Sequence, residues 1–159
     1  MTRIEILHEQ KMLRIASHGN VIINVWNDAP DVSQMQAYMR VAQHFCATRP
    51  RVTALLNGVI RGTPSFSEGV RDEVVKSMRM RGTFKLGVAH LITVGGLAGS
   101  ATRAFLSTAI LLGRPKTPSK VFSNPRESCE WLASRLHGTP SELAANDLFA
   151  AFEQACLGR

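Results

Sequence analysis

Residues 88–113 (VAHLITVGGLAGSATRAFLSTAILLG) constrain the fold more than any other stretch of this chain. Val88–Val94 reads as a strand that is apolar on both faces, and such a strand belongs inside a parallel or mixed sheet with helices on either side. Gly95–Gly99 reads as a turn and Ser100–Leu112 as an apolar helix. Strand, tight turn and returning helix form the repeating unit of α/β architecture.

Elements of the same kind surround it. Arg3–Glu9 alternates as a strand, Lys11–Ser17 is a second, and Val21–Trp26, rich in β-branched residues, is a third. His18-Gly19-Asn20 is a turn signal, so the chain should open with an antiparallel meander. Asp31 is placed to cap a helix in which Met35, Tyr38, Met39, Ala42, Phe45 and Cys46 recur at spacings of three and four. That helix should end near Ala47–Arg49, ahead of Pro50. Arg51–Ile60 is a short apolar strand. A second helix opens at Ser65-Phe66-Ser67-Glu68, with Ser65 and Glu68 at capping-box spacing, buries Val70, Val74, Val75 and Met78, and ends at Gly82.

Beyond the central unit, Arg114–Pro118 is a rigid basic linker and Lys120–Phe122 a short last strand. Asn124-Pro125 caps an amphipathic helix carrying Cys129, Trp131, Leu132 and Leu136, and Gly138 ends it. Thr139-Pro140-Ser141-Glu142 reads as another capping box, opening a final helix over Ser141–Leu157 with Leu148, Phe149, Phe152 and Cys156 on one face. The expected fold is α/β: a single-domain mixed sheet with packed helices over residues 1–138, and a C-terminal amphipathic helix over residues 139–159. A helix of that length is marginal alone in water. Burying its two phenylalanines and a leucine is worth about 5–8 kcal/mol. The stripe must therefore pack on the domain or on a second subunit, and a homodimer to which this helix contributes is expected.

Composition narrows the function classes. No apolar run approaches the roughly 20 residues of a membrane span. The N-terminal MTRIEILHEQ lacks a signal peptide's apolar core, so a cytoplasmic location is expected. Cys46, Cys129 and Cys156 lie far apart, which suggests reduced thiols rather than disulfides or a zinc site; no metal and no cofactor are expected. The net charge of +7 permits a phosphate, an anionic lipid or an acidic protein as partner. Nucleic acid is not expected, since there is no helix-turn-helix signature and Tyr38 is the single tyrosine. The five histidines are scattered, and the 12 acidic residues form no acid–base or metal pattern. His90 reads as a hydrogen-bonded core or edge residue, and no catalytic residue is assigned.

Two constellations invite a ligand. At the glycine turn, Gly96, Gly99, Ser100, Thr102 and Arg103 gather near a helix N-terminus, where free amides and the dipole suit an anion. The same glycines equally serve a tight turn with close packing. At the second helix start, Ser65 and Ser67 stand between Arg61 and Arg71. A phosphate there would gain dipole and guanidinium pairing, and the same serines equally serve as caps.

The segment VTALLNGV followed by PSFSEGV, together with the ending KVFSNPRESCEWL, resembles STAS-type domains, the bacterial anti-sigma-factor antagonists, over roughly residues 1–137. The resemblance implies a non-enzymatic regulatory or protein-interaction module with a protein partner. It also implies a phosphorylatable position at the second helix start, making Thr63, Ser65, Ser67 and Arg71 the phospho-switch or partner surface. Where the family carries Asp-Ser-Ser-Gly, this chain has Thr63-Pro64-Ser65-Phe66-Ser67. Related SEC14-like sheets bind lipids, so the resemblance allows an alternative: a small-ligand, phosphate or anionic-lipid site using the glycine turn and the basic linker Arg114–Lys120.

Overall fold

The computed structural model describes residues 2–62, 66–80 and 83–157. Among these, six strands form one mixed sheet in chain order: β1 (Glu5–Gln10), β2 (Leu13–His18), β3 (Val21–Trp26), β4 (Ala54–Val59), β5 (Gly87–Ile92) and β6 (Ser119–Phe122). The first three are antiparallel, the expected meander, and β3 to β6 run parallel. Five helices accompany them: α1 (Val32–Ala47), α2 (Glu68–Arg79), α3 (Gly96–Gly113), α4 (Pro125–Leu136) and α5 (Ala145–Leu157). The element order is the one the periodicities predict. None of the described helices is long and apolar enough to cross a membrane.

Each parallel crossover steps to the next strand in the same direction, so crossovers of one hand leave their helices on one face. α1, α2 and α3 cover that face, packing Met35, Phe45, Val74 and Leu106 against Ile15, Ile22, Leu55 and Ile92. α4 and α5 cover the other, with Leu132, Leu136, Leu148 and Phe152 on Ile23, Val25, Leu56 and Leu91. Alternate residues of β3, β4 and β5 thus enter two separate cores, and this explains why the strands read as continuous apolar runs.

Three boundaries differ from the sequence expectation. α3 starts at Gly96 rather than Ser100, so the glycines form its first turn. α2 is capped by Ser67, whose hydroxyl accepts from the Val70 amide at 3.3 Å, and it ends at Arg79. Ser65 and Gly82, the expected cap and stop, lie outside the described residues, as does Thr63.

The third difference is α5, which begins at Ala145 rather than Ser141 because Thr139–Glu142 is committed elsewhere. The Ser141 hydroxyl is buried, donating to the Val52 carbonyl at 2.5 Å and accepting from Asn20 Nδ2 at 2.9 Å. The Glu142 carboxylate turns back to the Gly138 amide (3.1 Å) and the His137 ring (2.9 Å), and those contacts hold its pKa down. With the capping groups spent on a closed turn, the helix starts four residues later.

The apolar stripe of α5 is covered within its own chain. Leu148, Ala151, Phe152 and Ala155 are all buried against the sheet and α4. Buried Arg14 of β2 donates through Nη1 to the Ala155 carbonyl at 3.0 Å and pairs through Nη2 with Glu9 at 2.8 Å, fastening the end of the helix. Of the two placements open to this helix, its buried residues take the one on their own domain.

Candidate ligand cavity

A buried polar row crosses the face beneath α1–α3. Asn24, Asn57 and His90 are register partners on β3, β4 and β5, and each occupies the fourth position of a six-residue strand. Equal position on parallel neighbours puts all three side chains on one face, side by side. The indole N–H of Trp26 donates to Asn57 Oδ1 at 2.8 Å, and Asn24 Nδ2 approaches the same oxygen at 3.4 Å. That fixes the orientation of the Asn57 amide, whose Nδ2 then donates to Nδ1 of His90 at 3.2 Å.

The protonation of His90 follows from this chain of donors. Nδ1 faces an N–H and must accept, so in the neutral ring the proton sits on Nε2. Burial keeps the ring neutral by lowering its pKa to about 4. Only 6% of His90 is exposed, and among the described residues Nε2 has no hydrogen-bond partner. Tyr38 stands beside it, its phenol pKa raised, chiefly by burial and secondarily by Cys46.

Tyr38 and His90 floor a cavity of about 330 Å³ between α1, the C-terminal ends of α2 and α3, and the starts of β5 and β6. The volume falls within the usual range for small-molecule sites. Leu55, Met78, Phe84 and Val88 make its walls apolar, and Tyr38 and His90 lie on its floor. Arg79, Lys85, Arg114 and Lys116 line it, and no carboxylate does so among the described residues. Two helix C-termini contribute roughly −0.5 charge each at this end. The Arg79 guanidinium answers one of them, donating to the Leu112 carbonyl at 3.4 Å. The four cations outweigh both dipoles, and the mouth is net positive. Beyond His90, a smaller space of about 40 Å³ continues under Trp26, Met35, Phe66 and Leu106.

The serine and threonine hydroxyls lining the cavity are committed to the backbone. Ser77 donates to the Val74 carbonyl (2.7 Å), Thr83 to Met80 (3.4 Å), Ser119 to Thr117 (3.1 Å), and Thr117 to Phe84. The Thr117 bond ties the basic linker to the loop that leads into β5, the strand that bears His90.

The two halves of the site expected around α3 fall at opposite ends of an 18-residue helix, on the order of 27 Å apart. Only the linker end reaches the cavity, through Arg114, Lys116, Thr117 and Ser119. At the glycine end, Thr102 is buried with its hydroxyl donating to the Ala98 carbonyl at 2.9 Å. Arg103 is folded back onto the carbonyls of Ile92 (3.3 Å) and Val94 (3.4 Å) and onto Ser100 Oγ (3.2 Å). A Cβ on Gly99 would lie 1.7 Å from the Val94 carbonyl oxygen, and Gly96 sits at φ +67°. The glycines thus serve the tight-turn role. At the α2 start, Ser67 is exposed and acts as the cap, while the Arg71 guanidinium lies 5.5 Å over the Phe105 ring.

Tyr38 and Lys85 of the cavity, and Trp26 and Asn57 of the smaller space behind it, were not identified as site residues from the sequence. One signal marks part of the set: a single polar residue at the same place in VIINVW, ALLNGV and GVAHLI. Comparisons of the chain with protein-family models, with curated proteins and with solved structures return no match.

Proposed function

We propose that this protein is a non-enzymatic regulatory binding module, of the kind its STAS-like pattern implies, and that its working site is the α1–α3 cavity, which takes a small amphiphilic anion. The observation that carries the reading is the pairing of an apolar, roomy cavity with a mouth of four cations and no lining carboxylate. Cations alone would suit any surface anion. Their position around apolar walls selects a ligand with an acidic group and an apolar body. A binding role is favoured over catalysis by the state of the polar groups. His90 is oriented by an amide rather than a carboxylate, and the lining serine and threonine hydroxyls donate to backbone carbonyls instead of to a base.

The test is calorimetry and thermal unfolding of the full chain with octanoate, octyl phosphate and octylamine. Both anions should bind and raise Tm, since a ligand at a hundred times its Kd adds about 2.7 kcal/mol to stability. Octylamine should do neither, and Lys85→Glu combined with Lys116→Glu should weaken both anions at least tenfold. Absence of binding by either anion at millimolar concentration rejects the reading.

A further inference from the structure

The anion-binding reading concerns the mouth of the cavity; its floor carries separate information. A core histidine on an apolar strand usually has both ring nitrogens satisfied by protein or water. Here Nδ1 is occupied by Asn57, while Nε2 meets no partner among the described residues and the ring lines both the large cavity and the smaller space behind it. The donor sequence Trp26 to Asn57 to His90 is directional, and it ends in a ring that carries its proton on Nε2 and lines the cavity. Reversing it would turn the Asn57 amide and set two N–H groups, those of Trp26 and Asn57, against each other.

We infer that the ligand is an acid bearing a second, buried hydrogen-bond-accepting oxygen, such as a ketone, which takes the Nε2–H of His90 while the acidic group stays at the basic mouth. The inference rests on the anion-binding reading and adds the chemistry of the inner end. A short apolar terminus beyond the carbonyl fits the 40 Å³ space under Trp26 and Leu106, which is large enough for little more than a methyl or ethyl group. A group that only donates is refused, because it would face an N–H. Discrimination of this kind is strong where a site offers a buried donor that one ligand satisfies and its analogue leaves bare.

The experiment compares three probes on the full-length wild-type chain by calorimetry: octanoate, octanoate with its penultimate carbon oxidised to a ketone, and octanoate with a terminal amine. The keto acid should bind about tenfold more tightly than octanoate, and the amino acid more weakly than either. In His90→Leu, checked for folding by circular dichroism, the keto acid and octanoate should become equal. Nitrogen-15 NMR of the wild-type histidines gives a readout independent of the variant. His90 should show a proton on Nε2, and its resonance should move with the keto acid and not with octanoate. Equal binding of the two acids by the wild type, a preference that survives in His90→Leu, or a proton found on Nδ1 overturns the inference. Octanoate binding without preference leaves the anion-binding reading standing, whereas failure of both acids to bind removes both.

Discussion

Asn57 and His90 are register partners on adjacent parallel strands, and the amide of one donates to the imidazole of the other at 3.2 Å. The contact lies across the centre of the sheet, and it sets the tautomer and the direction of a histidine that burial keeps neutral. Stability and binding at this site are therefore linked to the same ring.

Acid should weaken the fold through His90. Burial lowers its pKa from 6.5 to about 4, so between those values the unfolded chain takes up a proton that the native chain refuses. The histidine is neutral in both states above that window and costs nothing there. Its contribution is lost as pH falls from about 6.5 to about 4, a loss of about 3 kcal/mol. Urea unfolding across that range should show stability rising with pH, and His90→Leu should flatten the slope. An unchanged slope in the variant would assign the acid sensitivity to other groups.

Ser67 caps α2, so Ser67→Ala should cost about 1 kcal/mol, whereas Ser67→Asp should keep the cap and stay within a few tenths of wild type. Denaturant midpoints of the two variants measure the difference. A Ser67→Asp variant as unstable as Ser67→Ala would mean that the hydroxyl is doing something other than accepting the Val70 amide.

Phe152 fills the place that a side chain on β4 would take: a Cβ on Gly58 would come within 2.9 Å of its ring. Phe152→Ala should cost about 3–5 kcal/mol, the range for truncating a buried aromatic. Deleting residues 139–159 uncovers Ile23, Val25 and Leu56 of the second core and should yield aggregates rather than a soluble monomer. Light scattering of the truncated chain decides between these outcomes.

The thiols should be slow to react. Burial pushes Cys129 and Cys156 up to about 11 and raises Cys46 as well. At pH 8 the thiolate fraction of the first two is then about one in a thousand. Titration with a disulfide reagent should be slow in the native protein and immediate for all three cysteines in denaturant. Fast native modification would place a thiol in an open conformation.

The kind and order of the elements were legible in the sequence because they depend on short-range signals. A β-branched run marks β3, continuous apolar runs mark β4 and β5, the three-and-four spacing of Met35 to Cys46 marks α1, and Asp31 and Asn124 cap their helices as their positions imply. Boundaries failed where a side chain had a better partner at long range. Ser141 bonds to Val52 and Asn20 instead of opening a helix, and no local rule anticipates a partner 89 residues away. The cavity was hidden from the sequence for a related reason. Gly96–Arg103 has the local look of an anion cradle, yet Arg103 is spent on the end of β5. The cavity draws instead on Tyr38, Leu55, Phe84, His90 and Lys116, which share no stretch of sequence and meet only because β4, β5 and β6 are parallel neighbours beneath the same helices. The sequence determined which segments are strands and helices, since periodicity and capping are properties of neighbours along the chain. Tertiary structure alone decided where the cavity opens and which nitrogen of His90 carries the proton, since both depend on register between strands more than thirty residues apart.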